Sequence, residues 1–184
     1  VALGMVPQRF NHEKATIGRV LFYDKNLSKD RTISCASCHK QALAFSDDVA
    51  FSPGIGQERA LRNSMALSNV ANMAAHHQSI KGSETPLFLW DGRAKSIAEL
   101  SKMAMTSPHE MGMTMPEVVE RVKAMPYYPY LWEMAFQDMS ITEEGILDCL
   151  SEFVEAMGSY QTRFDFAMER VNGDVNFNKF DTTI

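Results

Sequence analysis

Apolar positions along this chain recur at helical spacing, and nowhere do they alternate with polar ones over the length of a strand. From Thr142 onward, Ile146, Leu147, Leu150, Phe153, Val154, Met157 and Phe164 fall along one helical face. Thr142 is placed to cap that helix, and Glu143 and Glu144 suit the positive end of its dipole. Thr114-Met115-Pro116-Glu117 is a capping-box sequence with proline in the first turn; Val118, Val119 and Val122 continue the helix, and Pro126 closes it. A third helix is predicted over 96–105 and a fourth over 15–22, where Ile17, Val20 and Leu21 share a face. Residues 24–34 are polar and read as a connecting loop. Residues 45–59, with Pro53, Gly54 and Gly56, read as a long irregular one, a length that compact domains usually reserve for function. The predicted fold is all-α, and at 184 residues one domain covering 1–184 is expected.

Composition narrows the class. Hydrophobic residues at 45% and charged residues at 22% are ordinary for a globular protein. A net charge of −5, with 18 Lys and Arg scattered singly, offers no footprint for nucleic acid. No apolar run approaches the ~20 residues of a membrane span. Residues 1–30 lack the three-part pattern of a signal peptide, so Val1 is read as the start of a mature or trimmed chain. Three cysteines do not make a disulfide framework. Cys149, among Ile146, Leu147, Leu150 and Phe153, reads as a small buried hydrophobe. Thirteen methionines is a high number; Met103, Met105, Met111, Met113 and Met115 cluster and suit flexible packing around a flat cofactor.

The remaining cysteines stand in Cys35-Ala36-Ser37-Cys38-His39. Two thiols at this spacing add across the two vinyl groups of haem, and the adjacent imidazole then reaches the iron. A thioredoxin-like dithiol would need a preceding strand, and a zinc site would need two further ligands. Neither pattern is present, since His76 and His77 are adjacent rather than separated. A covalent c-type haem on Cys35 and Cys38, with His39 as proximal iron ligand, is the expected cofactor. Haem alone does not separate an electron carrier, which fills its second axial position, from an enzyme, which keeps it open. Candidates near that position are His76, His77, His109, Glu110 and the methionine cluster.

The order Leu21-Phe22-Tyr23-Asp24, Leu27-Ser28, the haem motif, Phe45-Ser46-Asp47, Arg62-Asn63-Ser64, Trp90-Asp91-Gly92-Arg93-Ala94 and Glu110-Met111 resembles the N-terminal haem domain of bacterial di-haem cytochrome c peroxidases and their MauG-type relatives. The resemblance implies an elaborated cytochrome c fold around the peroxide-reacting haem. It places Glu110 on the distal carboxylate that helps move protons and Trp90 on a tryptophan between two haems. Arg93 falls on a propionate or structural partner, and Asn63 on a residue that helps bind calcium near a domain interface. It further implies hydrogen peroxide as substrate, electrons from a second haem domain or a cytochrome or cupredoxin donor, and the periplasm as location.

The departures from the family pattern are specific. A distal histidine expected seven residues before Arg62 is Ile55, so the haem is expected to be open without prior reduction. A glutamine expected ten residues before Glu110 is Leu100. Residues 74–86, which hold His76 and His77, read as an insertion. No second Cys-x-x-Cys-His follows before Ile184, so the family's second haem domain is expected on another part of a longer protein or on a separate chain, with 164–184 resembling the boundary. Three functions remain open: a peroxidase reducing hydrogen peroxide to water, a MauG-like oxidase modifying a protein partner, and a plain electron-transfer cytochrome.

Overall fold

The computed structural model describes residues 10–70, 88–138, 140–159 and 162–163, and among them there are helices and isolated bridges but no strands. The helices are α1 (His12–Tyr23), α2 (Cys35–Cys38), α3 (Ile97–Thr106), α4 (Met115–Ala124), α5 (Tyr127–Ala135) and α6 (Glu143–Glu155). Short 3₁₀ turns lie at Lys25–Leu27, Gln41–Leu43 and Ile55–Gln57.

Local chemistry accounts for most helix starts. The Asn11, Ser96 and Thr142 side chains accept hydrogen bonds from Lys14 N, Glu99 N and Gly145 N. At α4 the capping box is complete: Thr114 caps Glu117, whose carboxylate returns to Thr114 N at 2.8 Å. One reading of the sequence is corrected and one helix is added. α6 stops at Glu155, so Met157 lies beyond it, where its carbonyl accepts from Asn69 N at 3.0 Å; Phe164 lies outside the described residues. α4 ends at Ala124, before Pro126 as expected; Pro126 then leads into α5, a helix the sequence reading did not include, where Pro129 sits in the first turn and lacks only an N–H that would have had no intrahelical partner.

The core is built on α1 crossing α6. Gly18 lets them meet, because a Cβ there would stand 1.9 Å from the Cys149 carbonyl oxygen and 2.7 Å from Phe153 Cβ. Ile17, Leu21, Ile146, Cys149 and Leu150 are buried at the crossing. Cys149 behaves as read: it is fully buried, and burial pushes its thiol up to about 12. Arg121 on α4 fastens the 25–29 segment to this frame, donating from its guanidinium to the carbonyls of Asn26 (2.7 Å), Ser28 and Lys29 (3.1 Å).

Candidate functional site: a cavity shared by two thiols, an imidazole and a carboxyl

A cavity of about 350 Å³ opens between α2, α3 and the loops around them. Phe22, Ile33, Leu67, Met105, Met111 and Leu150 supply apolar wall, and Cys35, Cys38, His39, Trp90, Arg93 and Glu110 all line it. Every expected site residue, Asn63 included, therefore lines the cavity.

α2 is a single turn, and its N-cap Ser34 and Ser37 hold each other in a reciprocal capping box. That turn carries Cys35 and Cys38 as free thiols beside the cavity. Burial pushes Cys35 up to about 12 and Cys38 up to about 11, each further raised by nearby negative groups. A redox dithiol or zinc centre requires the opposite, thiolates favoured by their surroundings. Among the described residues no group of three or more His, Cys, Asp or Glu side chains could hold a metal ion.

His39 follows directly. Burial lowers its pKa, with the Phe45 and Met65 carbonyls and the Asp47 charge opposing, so the ring is neutral at neutral pH. Its Nδ1 lies 2.9 Å from the Phe45 carbonyl oxygen. A carbonyl can only accept, so Nδ1 carries the proton and Nε2 keeps its lone pair, the state in which imidazole binds a metal. The chain spends backbone strain to make this bond. Ala44 and Phe45 are consecutive non-glycine residues at φ 54° and 59°, held by Lys40 N to Ser46 O and Phe45 N to Lys40 O, both 2.9 Å. A flat, covalently tethered group with a central metal fits these residues: an apolar slot, two unpaired thiols on one turn, and an oriented neutral imidazole.

Glu110 sits in the turn after α3, where its N–H donates to Ser107 O at 3.1 Å. It is half-buried rather than solvated. Burial raises its carboxyl above the usual 4.5, opposed by the Ser107 hydroxyl and the positive charges of Arg93 and His109. The long loop is fastened against this turn. Ile55 N donates to Glu110 O at 3.0 Å, and His109 Nδ1 lies 3.2 Å from Glu58 Oε2. At Gly54 a Cβ would stand 2.0 Å from the His109 carbonyl oxygen. Ile55 therefore packs beneath the turn and is absent from the cavity wall, while Leu100 is part of it.

Trp90 occupies the tip of a tight turn closed by the Phe88 and Ala94 bridge, and 57% of it is exposed. Its indole N–H donates to Asn63 O at 2.9 Å, and the Asn63 amide donates to Val49 O at 2.6 Å. Arg93 is ion-paired with Asp91. His76 and His77 lie outside the described residues. The sequence reading passed over the Phe45 carbonyl, Ser107, Gly54 and Glu58. Only Gly54 left a signal, as a glycine in a loop marked for function.

An all-helical domain with two thiols and an oriented imidazole on one turn and a half-buried carboxyl across the cavity has the make-up of a cytochrome c-like haem domain. Residues 12–173 match the family model described as di-haem cytochrome c peroxidase, and the chain belongs to that family. It is 34% identical over 154 residues to methylamine utilization protein MauG of Methylorubrum extorquens, covering 83% of this chain and 40% of that protein. It is 30% identical over 167 residues to cytochrome c551 peroxidase of Nitrosomonas europaea, covering 90% and 45%. The crystal structure of a MauG-like protein associated with microbial copper homeostasis superposes with a TM-score of 0.71 at 25% identity, over 90% of this chain and 47% of that one. The diheme peroxidase BthA of Burkholderia thailandensis shares the fold, with a TM-score of 0.71 at 20% identity over 88% of this chain and 43% of that one. The chain thus spans less than half the length of these relatives. Haem c is the cofactor this family implies, and among the described residues no helix is long and apolar enough to cross a membrane.

Proposed function

We propose that this chain is the peroxide-reacting haem domain of a di-haem enzyme that reduces hydrogen peroxide to water. The observation that supports it most is one cavity holding Cys35, Cys38, His39 and Glu110 together. Cys35 and Cys38 would tether the haem and His39 Nε2 would ligate its iron, the redox centre at which the O–O bond of peroxide is cleaved. Glu110 accepts a proton from the incoming peroxide on its carboxylate and returns it to the oxygen that leaves as water. Its raised pKa brings the carboxyl nearer to the balance between taking and giving that such a role needs. The Ser107 hydroxyl bonds the carboxyl, the positive charge of Arg93 acts on it through space, and the apolar wall limits water around it.

Per turnover, hydrogen peroxide takes up two electrons and two protons and yields two waters. Trp90 would pass the electrons in, from a second haem domain or from a small cytochrome or cupredoxin donor. Asn63 would contribute to a calcium site at the border with that domain. Covalent haem attachment, which bacteria carry out outside the cytoplasm, supports the periplasm as the protein's location.

A second reading, a MauG-like oxidase acting on a partner protein, is favoured by Ile55 standing outside the cavity where the family's histidine would have to approach the haem. Stopped-flow mixing of the haem-loaded full-length protein with peroxide tests the enzyme readings. A fast optical change that is slowed in Glu110→Gln is expected. An oxidised haem that is wholly low-spin and inert to peroxide would establish the third reading, an electron-carrying cytochrome.

A further inference from the structure

Away from the cavity, Asp24 is a buried carboxylate that four donors share. Asn26 N and Asn26 Nδ2 each donate to Oδ1 at 2.9 Å. Tyr127 and Tyr128 both donate their hydroxyls to the other oxygen, Oδ2, at 2.8 and 2.9 Å. Capping the turn at Lys25–Leu27 needs only the first oxygen. The second oxygen gathers two phenols from a helix more than 100 residues away.

The two tyrosines are unequal. Tyr128 is completely buried in the core, while Tyr127 is 39% exposed. Their rings lie 4.7 Å apart, centroid to centroid, within contact for electron exchange. The cluster adjoins the cavity through α1: Phe22, two residues before Asp24, lines the cavity and stands 6.4 Å from the His39 ring.

The geometry points to Asp24, Tyr128 and Tyr127 as a proton-coupled one-electron relay between the haem cavity and the protein surface. In the first step the haem proposed for the cavity, once oxidised by hydrogen peroxide, would be reduced by one electron taken from Tyr128. The Tyr128 O–H bond breaks and its proton crosses 2.9 Å to Asp24 Oδ2, leaving a neutral tyrosyl radical and a neutral carboxylic acid. In the second step Tyr128 recovers an electron from Tyr127. The proton on Asp24 returns to Tyr128 as the Tyr127 proton takes its place on the same oxygen, 2.8 Å away. The radical is then on the partly exposed ring, and an external one-electron reductant, a phenol or a redox protein, can refill it with the Asp24 proton going back to Tyr127.

Burial explains why the proton must move with the electron. Desolvation and the adjacent carboxylate push Tyr127 up to about 12 and Tyr128 further still, so neither phenol ionises beforehand. A phenol cation radical is a far stronger acid than the phenol, and with Asp24 Oδ2 2.9 Å away its proton transfers as the electron leaves. Cys35 is among the groups acting on Tyr128, which places that phenol within electrostatic reach of the haem-attachment turn.

The relay depends on the peroxidase reading only for the source of its oxidant, so two oxidants are used. Haem-loaded full-length protein is mixed with hydrogen peroxide and freeze-quenched for EPR. In parallel it is photo-oxidised with a ruthenium polypyridyl complex and a sacrificial acceptor. Ring-deuterated tyrosine should narrow the resulting radical signal in both arms. Tyr128→Phe, which keeps the ring and its packing, should remove the signal arising from the cavity side. Asp24→Asn should lower its yield about tenfold, the factor carried by about 1.4 kcal/mol of lost hydrogen bonding. Tyr127→Phe should strand the radical on Tyr128 and slow its decay by added phenol. A haem inert to peroxide alongside a tyrosyl radical in the photochemical arm removes the peroxidase reading and keeps the relay. A radical unchanged in Tyr128→Phe, or absent in both arms, overturns the relay. Should Asp24→Asn fail to fold, the two phenylalanine variants decide alone.

Discussion

Gly54→Ala tests whether the long loop positions the catalytic turn. The added Cβ would lie 2.0 Å from the His109 carbonyl oxygen and 2.9 Å from its carbon, both backbone atoms, so rotation of a side chain cannot relieve the clash. Reaching the 3.0 Å floor of real Cβ contacts requires the two segments to part by about 1 Å. Overpacking of this kind costs about 1–3 kcal/mol. The same movement breaks the 3.0 Å bond from Ile55 N to Glu110 O, worth about 1 kcal/mol more. A total of about 2–4 kcal/mol should lower Tm by about 4–16 °C for a chain of this size. Function should fall further than stability, because a displacement of about 1 Å in a proton-transferring group can cost about a hundredfold in rate. The assay is thermal unfolding of the haem-loaded protein together with stopped-flow reaction with peroxide below the new Tm. A variant with unchanged Tm and an unchanged peroxide rate would show that the loop does not hold Glu110, and the positional argument fails.

Glu110→Gln should slow the peroxide reaction by about 10²–10⁴-fold while leaving the haem attached, checked by stopped flow and by mass. In the parent protein the rate should decline as pH falls through a midpoint above 4.5, because burial keeps the carboxyl protonated beyond its ordinary range; a midpoint at or below 4.5 contradicts that environment. Lys40→Ala should lower the denaturant midpoint near neutral pH. Burial pushes Asp47 up, but the Lys40, Ser52 and Asp48 hydrogen bonds more than reverse this, so the pair stabilises above pH 3.8 and its contribution fades as pH falls through the lowered native value. An equal loss at all pH values would point elsewhere. Arg121→Ala, which strips a charged donor from three carbonyls, should cost about 2–4 kcal/mol in urea unfolding, and a change under 0.5 kcal/mol would mean water replaces it without loss.

What could be read from the sequence was what neighbours in sequence decide. The α4 capping box and the Thr142 cap lie within four residues of the groups they satisfy, and both helices begin where expected. The haem motif was legible for the same reason, since α2 is a single turn. α5 was missed because proline signals a break unless its missing N–H falls in a first turn, and that depends on where Tyr127 and Tyr128 find burial and a partner more than 100 residues back. The overrun of α6 has a reason outside its own period: the apolar spacing continues to Met157, but the Met157 carbonyl is taken by Asn69 N rather than by a further helical turn. The state of His39 rests on a carbonyl, and the depth of Glu110 rests on a loop some 50 residues distant. Backbone groups and long-range packing leave no mark in composition or spacing.

The crossing of α1 with α6 at Gly18 and Cys149 also bears on timing. The residues that meet there are about 130 apart in the chain, and everything that lines the cavity lies between or within the two helices. A chain delivered N-terminus first to the compartment where haem is attached presents Cys35, Cys38 and His39 before residue 149 arrives to seal α1 in place. Closing so distant a contact is slow, since the loop-closure entropy must be met before packing rewards it. The attachment turn therefore stays open to an assembly enzyme until α6 has arrived and packed, so the order of the elements along the chain doubles as a schedule for loading it.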